Sequence, residues 1–233
     1  MTSQNTIGGT KVIGVLGGIG PEATGDFYIK LFRRLQQDGT IKKNTDYPQV
    51  VINSIPAPEL IYEYIKDDEL RPYIRGLKQL DEFGVDIIVM VCNTIHLYYK
   101  QLQEVVATPI LNLKEELRKK LEHEGIKKIS IIGTPNTIRQ GLYRFDGIET
   151  IDPSNVDIKA LSNAIHNFNI GKDKDKQREI TEEIATRYLV QGAEKIVLGC
   201  TEFAVMLENS NLPKINTIDV LVDSVACRYL AGK

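Results

Sequence analysis

Most features that announce a partner or a compartment are missing from this sequence. Acidic and basic residues nearly cancel, 31 against 29 in a chain of 233, for a formal net charge of −2. A chain so balanced carries no bulk field to gather nucleic acid or an anionic bilayer, and neither is expected as a partner. No run approaches the ~20 apolar residues of a membrane span. The opening MTSQNTIGGTKVIG has neither the charged start nor the apolar core of a secretory signal, so the protein is expected to be soluble and cytoplasmic. Cysteines number three, an odd count without a CxxC pair, which speaks against a disulfide framework and against a structural zinc site. Any cysteine that matters here matters as a thiol.

The stretch Asp86 to His96, DIIVMVCNTIH, reads as a buried strand that delivers Cys92 to its carboxyl end, where a helix begins. About a hundred residues later Lys195 to Phe203, KIVLGCTEF, does the same with Cys200. The flanking segments echo as well. VIGVLGGIGPEAT answers KISIIGTPNTI, and TPILNLKEEL answers LPKINTIDVL, in the same order along the chain. A duplicated αβ unit explains three ordered matches better than chance apolar runs do. Strands are expected at 12–16, 49–55, 85–91, 109–113, 128–132, 149–151, 195–198 and 213–218. Helices are expected between them, including 23–35, 72–83, 97–105, 115–124, 156–168, 175–191 and 219–230.

The fold class that follows is α/β. Two pseudo-symmetric three-layer αβα lobes with mainly parallel sheets are expected, residues 1–112 with 219–233 forming the first and 113–218 the second. The last helix is assigned to the first lobe because the matching LNLKEEL also leads out of its own. A ligand of such a protein belongs beyond the carboxyl ends of the strands, in the cleft between the lobes, and both cysteines sit at such ends.

Two thiols facing one bound molecule can act on opposite faces of one carbon, one removing a proton and the other returning one from behind. A helix amino terminus favours the thiolate, so lowered thiol pKa values are expected. A single nucleophilic cysteine would instead need a histidine base. Of His96, His123 and His166, only His96 lies near a thiol, one helical turn beyond Cys92, where it either tunes that thiol or is held at a helix start. Cys227, among apolar neighbours on the last helix, reads as a packing residue. Gly18 to Ala23 formally matches a dinucleotide loop, but the second strand ends at Asn53 without the acid that would hold a ribose. The loop is read as exposing backbone N–H groups to a small carboxylate, with Thr134, Asn136 and Thr137 doing the matching task in the second lobe.

With Gly17-Gly18-Ile19-Gly20-Pro21-Glu22-Ala23-Thr24, Cys92-Asn93-Thr94-Ile95-His96 and Gly199-Cys200-Thr201-Glu202 in view, the chain resembles the aspartate/glutamate racemase family over nearly its whole length. The resemblance implies an amino-acid racemase that needs no cofactor and no metal, usually dimeric, with Cys92 and Cys200 as the catalytic pair. It implies substrate contacts from Ile19, Gly20, Asn93, Thr94, Thr134, Thr137, Thr201 and Glu202, and a small amino acid, aspartate or glutamate, as substrate. Aspartate racemases of this family tend to hold the distal carboxylate with an arginine after the second strand and a lysine in the second lobe. Leu60 and Ile170 fall at those places here, leaving Arg71, Arg139 or Lys172 as other sources of charge. The alternatives are a related isomerase of the same build, of the maleate isomerase or hydantoin racemase type with one nucleophilic cysteine, and an inactive homologue that only binds an amino acid.

Overall fold

The computed structural model describes residues 11–58 and 67–231. In chain order the elements are β1 (Val12–Gly17), α1 (Pro21–Gln37), β2 (Gln49–Ser54), α2 (Asp67–Phe83), β3 (Ile87–Met90), a 3-10 turn (Thr94–Tyr98) running into α3 (Tyr99–Gln103), and α4 (Leu113–His123). The second half holds β4 (Lys128–Gly133), α5 (Pro135–Arg139), β5 (Glu149–Ile151), α6 (Asn155–Asn169), α7 (Lys174–Val190), β6 (Lys195–Gly199), α8 (Thr201–Met206), β7 (Lys214–Asn216) and α9 (Thr217–Leu230).

All strand pairs are parallel, and the order is β2-β1-β3 in one sheet and β5-β4-β6-β7 in the other. The duplication is therefore visible in the hydrogen bonding. Ile88 N–H donates to Pro109 O at 2.9 Å, and Ile196 N–H donates to Pro213 O at the same distance. Asn112 and Asn216 then cap the helices that follow, accepting from Glu115 N–H and Ile218 N–H. In the first lobe the expected strand at 109–113 shrinks to a single bridge, Ile88 to Ile110, because the Asn112 cap turns the chain into α4 at once. Helix α2 begins at Asp67, ahead of the expected 72, and takes Pro72 inside its second turn at the loss of one backbone hydrogen bond.

Burial follows periodicity. On α1 the apolar residues Ala23, Phe27, Leu31 and Leu35 recur every fourth position and are all buried, while Pro21 opens the helix where no N–H is needed. One continuous core runs from the α1 face of the first sheet, through α9, into the second sheet, and a separate cluster of Leu16, Tyr73, Leu77, Leu80, Ile88 and Met90 fills the space under α2. Cys227, expected to pack, is exposed, since the buried stripe of α9 passes through Val222, Val225, Ala226 and Tyr229 instead. Among the described residues no helix is long and apolar enough to cross a membrane.

Helix α9 returns across the lobes. Arg34 of α1 pairs with Asp223 at 2.8 Å, Lys30 with Asp219 at 2.8 Å, and Lys11 donates to Arg228 O at 3.1 Å. On its other flank Glu116 of α4 accepts from Ser224 and Arg228, both at 2.9 Å. Burial opposes ionisation of Glu116, but the hydrogen bonds from Arg228, Lys119 and Ser224 outweigh it and hold the carboxyl down at about 2. A carboxyl depressed in the folded chain stabilises it above the unfolded pKa of about 4.3, and that stabilisation is lost as pH falls towards the folded value. Glu116→Gln is expected to lower unfolding free energy at pH 7 by ~1–2 kcal/mol, and the gap to wild type, measured by urea denaturation, should narrow below about pH 4.

Candidate active site

Strands β3 and β6 occupy matching places in the two sheets, and each hands the chain to a cysteine at its carboxyl end. Cys92 and Cys200 are both buried, 8% and 6% exposed. They line one small cavity of about 20 Å³ between the lobes, together with Ile19, Asn93, Thr94, Thr134, Thr201 and Glu202. Gly20 lies on an adjoining pocket of about 260 Å³ that shares Ile19, Asn169 and Glu202 with the first. Thr137 stands just behind the cavity wall, bonded to two hydroxyls that form it.

Each lobe reaches into the other's first loop. From the first lobe, Thr94 Oγ1 lies 3.0 Å from both Thr134 Oγ1 and Thr137 Oγ1, which are themselves 3.0 Å apart. Thr134 also caps α5, accepting from Thr137 N–H at 3.1 Å. From the second lobe, Glu202 lies under the glycine loop, where a Cβ on Gly20 would come within 3.0 Å of Oε1. Its other oxygen, Oε2, accepts from Cys200 Sγ at 2.8 Å and from Thr201 Oγ1 at 3.2 Å.

The remaining polar groups are held in place by the protein itself. Asn93 donates from Nδ2 to Thr217 Oγ1 at 3.0 Å and accepts at Oδ1 from the Tyr143 hydroxyl. Gly18 N–H, expected to be offered to a ligand, is taken by Thr24 Oγ1 at 3.1 Å, and the Thr24 hydroxyl donates onward to Gly20 O. Gly18 itself has φ 87°, and a Cβ there would meet Ile55 O at 2.5 Å, so the turn requires glycine. Asn53, weighed as a ribose ligand, is tied to Gly76 O and Gln79 instead.

The expected lowering of the thiol pKa values does not occur. Burial pushes Cys92 up to about 12, although Ile95 and Thr94 aim backbone N–H groups at it. Cys200 is pushed well above the ordinary range, by burial first and then by the charge and hydrogen bond of Glu202. The charge on each side of the cavity is felt on the other: Cys92 raises Cys200, and Glu202 raises Cys92. Two protonated thiols on one cavity can give and take protons at a single bound molecule, provided one of them can be relieved of its own.

Ile165 and Asn169 of α6 also line the cavity and escaped the sequence reading. They sit one turn apart on one helix face, and the residue singled out there was Ile170, one position on, which is 61% exposed. Leu60 lies outside the described residues. Arg71, Arg139 and Lys172 line neither the cavity nor its neighbour, and among the described residues no lysine or arginine does. Nor do the described residues contain a cluster of three metal-ligating side chains. At the outer edge Glu22 of α1 pairs with Lys174 of α7, whose Nζ also sits 4.5 Å above the Phe168 ring, so an ion pair joins the lobes beside the opening.

His96 turns away from the thiols. It lines a different pocket of about 490 Å³ with Tyr98, Tyr99 and Leu142, with Nε2 3.4 Å from Met90 O. The position that one helical turn seemed to place beside Cys92 is occupied by a 3-10 turn, whose tighter winding rotates the side chain off that face.

Comparison with known proteins places the fold and the family. The family model described as Asp/Glu/Hydantoin racemase matches residues 16–226. A curated relative, the broad specificity amino-acid racemase RacX of Bacillus subtilis, is 31% identical over 230 residues, covering 94% of this chain and 99% of its own. Among solved structures, the Picrophilus torridus aspartate racemase superposes with a TM-score of 0.76 at 25% identity, covering 94% of both chains. A glutamate racemase from Francisella tularensis, solved with D-glutamate, shares the fold with a TM-score of 0.64 at 15% identity, over 96% of this chain and 82% of its own.

Burial lowers the His96 imidazole to about 4. Its ring protons should therefore titrate by NMR with a midpoint near that value and leave it neutral throughout the range from pH 5 to 8. A midpoint near the ordinary 6.5 would mean that the ring reaches water or a carboxylate.

Proposed function

The chain belongs to the Asp/Glu/Hydantoin racemase family, and on that premise we propose that it racemises an α-amino acid without a cofactor, using Cys92 and Cys200 as the two bases. The observation that carries the reading is that two thiols from different lobes line one cavity. The first lobe is assigned residues 1–112 with 219–233 and the second 113–218, so each thiol comes from a separate half. The assembly is assigned as a homodimer on the family resemblance alone.

In this reading the substrate α-carboxylate accepts hydrogen bonds from Thr94 and Thr134. Those hydroxyls now satisfy one another and Thr137, the Thr134 hydroxyl donating to Thr137 Oγ1 at 3.0 Å, so each turns from a protein partner to a ligand. The backbone at Ile19 and Gly20 closes the same end, while Asn93 and Thr201 face the α-amino group. One sulfur, as thiolate, takes the α-proton; the other, as thiol, gives its proton to the opposite face, and the configuration inverts. The reverse reaction exchanges the two.

The motifs imply aspartate or glutamate. The wall of Ile165 and Asn169, with no lysine or arginine among the described lining residues, favours a broader range in which an acidic side chain is not required. Candidate L-amino acids incubated with the enzyme in D2O should lose their α-proton NMR signal. Cys92→Ser and Cys200→Ser should each lower racemisation by ~10²–10⁴-fold. Retained two-way turnover in either variant would contradict the two-base reading, and a covalent adduct trapped on one sulfur would replace it with nucleophilic chemistry.

A further inference from the structure

Asn93 follows Cys92 directly, and its side chain is fixed by two groups that the racemisation scheme does not use. Thr217 Oγ1 spends its single proton on Leu198 O at 2.9 Å, so towards Asn93 it can only accept, and the atom facing it at 3.0 Å must be Nδ2. The Tyr143 hydroxyl donates to Oδ1 from the other side. All three side chains are buried, Asn93 1% exposed and Tyr143 and Thr217 fully covered. A reversed amide would bring Oδ1 against an oxygen with no proton to offer, so one orientation alone satisfies both partners. We propose that Tyr143 and Thr217 are positioning residues of the racemase, a clamp that locks the Asn93 amide towards the substrate and ties the loop behind Cys92 to the strand that carries Cys200.

The duplication shows that the Thr217 hydroxyl is no part of the common frame. Asn112-Leu113 opens α4 and Asn216-Thr217 opens α9, so Thr217 stands where the other unit has an equally buried leucine. A hydroxyl in such a core costs free energy unless it is bonded, and here it is bonded twice. The chain of hydrogen bonds starts at Tyr143, beyond α5 of the second lobe, and passes through Asn93 of the first. It continues through Thr217 at the start of α9 and ends at Leu198 of β6, two residues before Cys200. Burial first, and then the charges of Cys92 and Cys200, push the Tyr143 phenol well above its ordinary range, so it stays a donor. With both bonds made, Asn93 keeps one lone pair on Oδ1 and one N–H on Nδ2. The lone pair suits the α-ammonium group assigned to this side chain above, whereas an amide free to turn over would present N–H groups there instead. The catalytic role of the clamp rests on the racemase reading; the clamp itself belongs to the free protein.

Tyr143→Phe keeps the ring and removes the hydroxyl, Thr217→Val keeps the shape and removes the oxygen, and Thr217→Ser keeps the oxygen and loses only a methyl. We expect kcat/KM to fall by about 10–100-fold in the Phe and Val variants and by less than about threefold in Thr217→Ser. The loss should fall on the amino acid: its KM should rise, while the Ki of the matching carboxylic acid without the α-amino group should change by less than about threefold. A bond that served the fold alone would weaken both ligands together, or lower only the unfolding temperature. Unchanged kcat/KM in the Phe and Val variants, equal weakening of the two ligands, or a Ser variant as poor as Val would overturn the proposal. Should Thr217→Val not fold, Tyr143→Phe carries the same test. The clamp is also read without turnover, from the side-chain amide of Asn93 in protein labelled with 15N-asparagine, assigned by its loss in Asn93→Asp. In the free wild type the proton bonded to Thr217 should exchange slowly with water, and in Thr217→Val it should exchange about tenfold faster or more. Rapid exchange in the wild type would refute the clamp by itself, whereas a protected amide in a protein that exchanges the α-proton of no amino acid would refute the racemase reading and with it the catalytic role.

Discussion

The hydrogen bond from Cys200 Sγ to Glu202 Oε2 is buried, and the same cavity holds a second buried thiol at Cys92. Charge is costly in such a place, which is why both thiols stay protonated far above their ordinary range. A helix start and a few backbone N–H groups are too weak to reverse that cost. The site therefore separates two tasks that a water-exposed cysteine combines. The strand ends bring both sulfurs to one cavity, and the oxygen chemistry beside them bears on their charge, since Glu202 raises both thiols.

Parallel sheets of the same order make that geometry inexpensive to specify. In each lobe the strand that carries the cysteine lies beside the first strand of its unit, so its carboxyl end opens next to the glycine or threonine loop that follows that first strand. Helix α9 then binds the two units through buried apolar residues and through Asp223, Asp219 and Arg228. At the cavity the join is polar: Thr94 meets Thr134 and Thr137, and Asn93 meets Tyr143 and Thr217. The polar side chains at the cavity are thus held by partners that belong to the opposite lobe or its neighbouring helix.

Much of this was legible in the chain. The two apolar runs that stop at Cys92 and Cys200, the paired prolines at 109 and 213 and the capping asparagines at 112 and 216 mark the duplication, because strand ends and helix starts have strong local chemistry. Proximity across the lobes was less legible. Ile165 and Asn169 reach the cavity from the end of a long helix, and nothing local distinguishes them from Ile170, whose exposure only the helix phase decides. Of the two roles left open for His96 the one held at a helix start is found, since the spacing of an α-helix does not hold in a 3-10 turn. The thiol pKa values were read with the wrong sign because desolvation depends on what closes over a residue, and the sequence near Cys92 shows only the donors beneath it.

The central claim is that sulfurs 92 and 200 address one carbon from opposite faces. It is tested most directly by the isotope content of both enantiomers at early times in D2O, starting from a single protiated enantiomer that the enzyme turns over. The account predicts that the newly formed enantiomer carries deuterium at the α-carbon while the remaining substrate keeps its protium, because the proton removed and the deuteron returned reside on different sulfurs. Product that retains the original proton in bulk would mean that one group serves both faces, and would contradict the account.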